Sequence, residues 1–171
     1  MKPRAMLLVG MILGAAAMRL LPHPYNFTPI GALALFGGAH FDDKRWAFVV
    51  PLSALFLSDL LIGMHNQMAM VYGSFLLMVC MGFMLRQRRA PLSIAGMAFA
   101  ASVLFFVLTN FGVWAFDALY PKTLEGLVAC YVAAIPFFGN TLAGNLFYAV
   151  ILFGGFALAE RKLAVFASAH S

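Results

Sequence analysis

Cys80 is the residue whose type and position best suit chemistry. A thiolate ligates soft or borderline transition metals, and the metal in turn holds the thiol deprotonated. It lies twelve residues into an apolar run beginning at Met68, about 18 Å along a helix axis and so near or past the midplane of a bilayer. Gly73, seven residues earlier, shares its helical face, with Leu76, Leu77, Phe83 and Met84 flanking the stripe. A flat apolar macrocycle could rest on such a wall. The competing reading is a small buried residue filling space between helices, with Gly73 serving close packing. Cys130, fifty positions away with no Cys-x-x-Cys spacing, indicates neither a disulfide framework nor a zinc motif.

Polar residues recur toward one end of the apolar runs: Asn26 and Thr28, Ser58 and Asp59, Tyr72, Thr109 and Asn110, then Asn140, Thr141, Asn145 and Tyr148. Thr141, Asn145 and Tyr148 follow i, i+4, i+7 and make one face. Membrane bundles use such groups as interhelical hydrogen bonds; alternatively they form a ring that binds the periphery of a ligand in a mainly apolar pocket. The candidate ligand-binding set is thus Asn26, Thr28, Asp59, Tyr72, Gly73, Asn110, Asn140, Thr141, Asn145 and Tyr148. Asp59, a carboxylate in an apolar segment, needs a partner or a cavity. Arg19 either pairs with it or meets an anionic ligand group. His23, His40, His65 and His170 sit in or beside expected loops, where exposure is the default.

No Gly-x-x-x-x-Gly-Lys-Ser/Thr, Gly-x-Ser-x-Gly or His-Glu-x-x-His motif occurs, so nucleotide hydrolysis and the common hydrolase chemistries have no sequence basis. An intramembrane hydrolase built on Cys80 lacks a histidine at its depth to act as base. The few ionisable groups within the apolar runs argue against a proton relay or a charge-lined channel.

The elements that must position these residues are membrane helices. Of 171 residues, 64% are apolar and 10% charged, with a mean hydropathy of +0.94, against about half apolar and a quarter charged in a soluble domain. A water-soluble fold and a separate catalytic domain are both excluded by this arithmetic. The formal charge is +5, but 11 Lys and Arg against 6 Asp and Glu form no basic tract beyond Arg86, Arg88 and Arg89, which disfavours a nucleic-acid partner.

Polar and Pro/Gly punctuation gives six spans: Arg4–Leu21, Pro29–Phe41, Trp46–Gly63, Met68–Leu85, Pro91–Trp114 and Thr141–Ala159. We therefore expect an all-α integral membrane protein, a six-transmembrane-helix bundle forming a single domain over residues 1–171. Lys2 and Arg4, the apolar stretch Ala5–Leu13 and Ala15–Ala17 imitate a secretory signal peptide; we expect this segment to remain as the first membrane helix. The second span is short. It either begins near Asn26 or includes irregular backbone facing a cavity. Asp117–Gly139, interrupted by Pro121, Lys122, Glu125 and Pro136, reads as an interfacial helix or lid. Six crossings place Lys2, Arg4, Lys44, Arg45, Arg86, Arg88, Arg89, Arg161 and Lys162 at one face, leaving only Arg19 and Lys122 elsewhere. The positive-inside rule makes that face, and both termini, cytoplasmic. Gly10 and Gly14 form Gly-x-x-x-Gly, for self-association, internal packing or docking.

Six short spans with cytoplasmic ends, the segment Arg19-Leu-Leu-Pro-His-Pro-Tyr-Asn-Phe-Thr-Pro-Ile, and a single cysteine in the fourth span at Cys80 together resemble the BtuM family. These are small vitamin B12 transporters of Gram-negative bacteria, themselves similar to the substrate-binding S-components of energy-coupling factor (ECF-type) transporters. The resemblance implies an S-component fold in the inner membrane and a cobalamin site opening to the periplasm. It further implies base-off binding with the Cys80 thiol as axial ligand to cobalt, and, by extension, thiolate-mediated loss of the cyano ligand of cyanocobalamin, a decyanation at Cys80. Docking to a coupling subunit commonly uses Ala-x-x-x-Ala on the first helix; here Gly10-x-x-x-Gly14 stands in its place, so no obligatory ATPase module is expected. Partners would be cobalamin, membrane lipid and periplasmic or cytoplasmic B12-handling proteins. Two other classes fit the same residues: a membrane protein binding haem or another metal cofactor through Cys80, and a structural subunit that binds no small molecule.

Overall fold

Ile30–His40 is only eleven residues long, yet every one of them is buried. Its composition explains both properties. Ile, Leu and Phe leave no polar face, so the helix is stable only where neighbours surround it, and the interspersed Gly and Ala let those neighbours come close. The computed structural model describes residues 3–168, with side chains as far as Lys162. The elements are α1 (Pro3–Ala17), continued by one 3-10 turn (Met18–Leu20), α2 (Ile30–His40), α3 (Lys44–Ile62), α4 (Met68–Met84), α5 (Pro91–Phe116), α6 (Leu124–Ala149) and α7 (Gly155–Ser168). No strand occurs among the described residues.

The axis helix α2 meets α4 backbone to backbone. A Cβ added at Gly38 would overlap the carbonyl of Val79, and one at Gly82 would lie 2.5 Å from the carbonyl oxygen of Leu35. On the α3 side, Gly37 makes room for the ring of Pro51. The C-terminus of α2 leaves carbonyls without intrahelical partners, and the α4–α5 loop supplies them. Arg86 donates from Nε to Gly38 O (3.0 Å) and from Nη2 to Phe41 O (2.7 Å), and Arg89 donates to Ala39 O (2.8 Å). Two guanidiniums at a helix C-terminus also suit its dipole.

His40 overturns the expectation that every histidine is exposed. It is 4% exposed, its Nδ1 lies 3.1 Å from Phe36 O, and its ring packs against Phe36, Phe153 and Phe156. His23 and His65 are exposed as expected; His170 lies outside the described residues.

Arg4 bonds Glu160 at 2.8 Å and approaches Asp42 at 3.4 Å. The start of α1, the α2–α3 turn, the α4–α5 loop and α7 therefore share one end, the basic end. The two cations at the opposite, far end are both consumed locally: Arg19 by Asp59, and Lys122 by the carbonyls of Trp114 and Asp117 at the C-terminus of α5. Pro3–Leu20, Lys44–Ile62, Pro91–Phe116 and Leu124–Lys162 are long and apolar enough to cross a membrane; α2 and α4 are shorter.

The stretch expected to be an interfacial helix or lid is helical from Leu124 onward and runs without a break through Pro136 and a π-helical turn (Val150–Gly154) into α7. The corrected unit is one helix, whose first half packs along α5: Tyr131 donates to Val107 O (2.7 Å), and Phe138 meets Phe106 edge to face. Pro136 misleads because a proline removes one backbone bond without forbidding helix where packing holds both sides. Gly10 and Gly14 are exposed, and a Cβ at either would meet nothing. Internal packing is therefore not their role; α1 packs inward through Leu8, Ile12, Ala15 and Ala16.

Candidate functional site

Between α1 and α2 the chain does not cross the bundle as helix. From Leu21 to Pro29 it is irregular backbone, exposed as far as Asn26 and entering the bundle at Phe27 to Pro29, the cavity-facing alternative for the short second span. Asn26 adopts φ 63°, the one left-handed non-glycine residue among those described, a conformation asparagine tolerates better than most. The segment is tied to α6. Asn140 donates to Tyr25 O (3.0 Å), Gly144 lets the backbone at Thr28 come close, and the ring of Phe27 packs against Phe147 and Tyr148.

This arrangement leaves a chamber of about 230 Å³ at the far end. Its polar lining is Asn26, Gln67, Thr109, Asn110 and Thr141, and its apolar walls include the rings of Phe105, Phe106, Phe137 and Phe138. Gln67 stands just before α4, and its Nε2 donates to Asp117 at 2.8 Å. Thr109 donates to Phe105 O (2.7 Å), Asn110 to Phe106 O (2.8 Å) and Thr141 to Phe137 O (3.2 Å), each to its own helix four residues back. No charged side chain lines the chamber. It can solvate a neutral polar group against aromatic walls, which is the composition of a small-ligand pocket, although it is smaller than the roughly 300–1,000 Å³ that holds a drug-sized molecule.

Of the ten residues expected to bind a ligand, Asn26, Asn110 and Thr141 converge on this chamber. The others go elsewhere. Asn140 and Thr28 hold the irregular segment. Asn145 is buried, donates to Ser102 Oγ (2.8 Å) and sits against Gly31, and Tyr148 is buried beside Phe27. The i, i+4, i+7 face is therefore mostly interhelical packing. Asp59 is 1% exposed and forms a network of its own: Arg19 Nη2 reaches Asp59 Oδ1 at 2.7 Å, Tyr72 donates to Asp59 Oδ2 at 2.8 Å, and Arg19 also donates to Ser58 Oγ. Pairing, rather than an anionic ligand, engages the Arg19 guanidinium here. The chamber residues missed from sequence are Gln67, taken as part of a loop, and the four phenylalanines, whose periodicity is that of any apolar helix.

Cys80 is exposed, not buried between helices; the buried thiol is Cys130, which donates to Asn110 O at 3.4 Å. Heptad spacing identifies the face shared by Gly73 and Cys80 but not the direction in which it points. That face looks out of the bundle: a Cβ at Gly73 would meet nothing, and Leu76, Leu77 and Met84 are exposed with it. Leu77 lies in a shallow apolar trough completed by α5 residues, among them Phe99, Val103 and Val107. Cys80 stands four residues from the end of α4 at Met84, about 6 Å along the axis, and nine residues, about 14 Å, from Val71 in the chamber wall. The thiol and the chamber do not form a single pocket. Among the described residues no cluster of three or more His, Cys, Asp or Glu is placed to hold a metal ion.

No curated protein and no solved structure matches the chain. A family model matches residues 1–167, nearly all of the chain whose site has just been described, and the protein belongs to that family, the family of unknown function DUF6580.

Proposed function

We propose that the protein binds an organic ligand at the far-end chamber and takes it up across a bacterial inner membrane, and that the ligand is cobalamin. The observation that carries this reading is the chamber itself. Irregular backbone enters an apolar bundle at Phe27 to Pro29 beside amide and hydroxyl side chains, and such backbone persists at membrane depth only where it lines a cavity or is buried in protein. The concentration of Arg and Lys at the opposite end supports a cytoplasmic basic end and a chamber open to the periplasm. The resemblance of Arg19–Ile30 and Cys80 to BtuM transporters supports cobalamin as the ligand.

At about 230 Å³ the chamber accommodates an amide-bearing arm of a corrinoid rather than its ring. Cobalt ligation by Cys80 is a separate part of the reading, because an exposed thiol beside the α4–α5 trough offers the ring an apolar bed on another face. The test is to load purified full-length protein with cyanocobalamin and measure retained cobalt and the corrin absorption spectrum, for wild type, Thr109→Val and Cys80→Ala. Stoichiometric cobalt in the wild type, weaker retention in Thr109→Val and an altered spectrum in Cys80→Ala are the expected results. A spectrum unchanged in Cys80→Ala removes the thiol from the reading. Protein that emerges colourless ends the cobalamin assignment, and a Soret band in its place points to haem.

A further inference from the structure

The hydrogen-bond capacity that the helix residues leave over in the chamber leans toward acceptors, while Asn26 keeps both a donor and an acceptor. Thr109, Asn110 and Thr141 each direct a proton to a carbonyl of their own helix, which turns the Asn110 amide nitrogen away and leaves lone pairs on Thr109 Oγ1, Thr141 Oγ1 and Asn110 Oδ1. Gln67 also lines the chamber. The Asp117 carboxylate accepts from its Nε2 at 2.8 Å, and because an ionised carboxylate only accepts, this contact sets which way the amide faces. Its oxygen Oε1 is then buried against Gly112 of α5 with no hydrogen-bond partner among the described residues. No Lys, Arg or His lines the chamber to balance a bound anion, while four phenylalanines do line it, and an aromatic ring that presents its face attracts a cation.

We infer that the chamber selects an N–H donor, a primary carboxamide or an ammonium group carried on an apolar body, and rejects carboxylates and phosphates. This deepens the uptake reading by naming the chemical class its chamber takes, and rests on that reading for the chamber's role as an entry site; a corrinoid's peripheral carboxamides satisfy it. The probes are benzamide, benzylammonium and benzoate, which share a ring and differ in their head group. Binding of each to full-length protein in detergent is measured by calorimetry, for wild type, Thr109→Val and Asn110→Leu, with far-ultraviolet circular dichroism confirming that the variants fold. We expect benzamide or benzylammonium to bind at least about tenfold tighter than benzoate, the equivalent of one hydrogen bond, and the gap to shrink in both variants. Amide preference identifies a neutral ligand and ammonium preference a cationic one. Benzoate binding as tightly as the other two, a preference that survives both substitutions, or no saturable binding by any probe would overturn the inference. Protein that prefers the donors but retains no cobalamin keeps the chamber's selectivity and loses the corrinoid assignment, so the two failures are distinguishable.

Discussion

Arg19 and Asp59 meet at 2.7 Å with side chains 9% and 1% exposed, tying the end of the first helix to α3 while Tyr72 brings in α4 from the other side. Removing one member of a buried pair strands the other's charge and costs about 3–5 kcal/mol, whereas replacing both by apolar residues of similar volume is often neutral. Asp59→Ala is therefore expected to lower the unfolding temperature in detergent sharply, and Arg19→Met combined with Asp59→Leu to recover most of the loss. Additive losses in the double variant would show that the pair is not energetically coupled.

The glycines separate by position. Gly38 touches backbone, whereas Gly10 faces open space. Gly38→Ala forces two helices apart, with a penalty of about 1–3 kcal/mol or more from overpacking, while Gly10→Ala should change stability by no more than about 0.5 kcal/mol. Parallel thermal unfolding of the two variants checks this, and equal effects would contradict the close α2–α4 crossing.

The two thiols should differ in reactivity because only one can be approached. Cys80 is exposed and Cys130 is 2% exposed. In detergent, an uncharged maleimide is expected to modify Cys80 rapidly and Cys130 only on unfolding, so Cys80→Ala should abolish native-state labelling. Mass spectrometry of the labelled chain reads the outcome, and labelling of Cys130 at the same rate would show that its thiol is not shielded in the native bundle.

One helix connects Glu125 to Arg161, a separation of about 54 Å at 1.5 Å per residue, more than the roughly 30 Å hydrocarbon core. Glu125→Cys and Arg161→Cys, each made in a background lacking Cys80 and Cys130, should react with a membrane-impermeant thiol reagent from opposite sides of the membrane. Reaction from one side would contradict a single membrane-crossing helix from Glu125 to Arg161.

Sequence patterning carried the fold further than the site. The apolar runs and the segregation of Lys and Arg placed α1 to α5 and their alternation, because both follow from solvent: hydrocarbon excludes charge, and loops retain it. Pro136 was misread because a local rule about one backbone bond competed with a tertiary contact along α5. His40 looked exposed because it ends a short helix, but the rings that bury it, Phe153 and Phe156, come more than a hundred residues later. Asn26, Asn110 and Thr141 were recognisable as polar residues in apolar surroundings, and their convergence on one cavity matched a pattern of position along the spans. Gln67 was not, since its importance lies in a bond to Asp117 that no spacing rule encodes. For Cys80, periodicity specified a stripe whose inward or outward sense depends on which neighbours α4 acquires.

The contact of Gly38 with Gly82 has a mechanical consequence. Where Gly38 meets Gly82 no side chain stands between the backbones to slide or change rotamer, which stiffens the α2–α4 crossing, and Arg86 and Arg89 brace it at the basic end. Any enlargement that admits a bulky solute is thus left to the α5–α6 hairpin and the strap from Leu21 to Pro29 fastened to it, which would swing outward together like a door carrying its own latch.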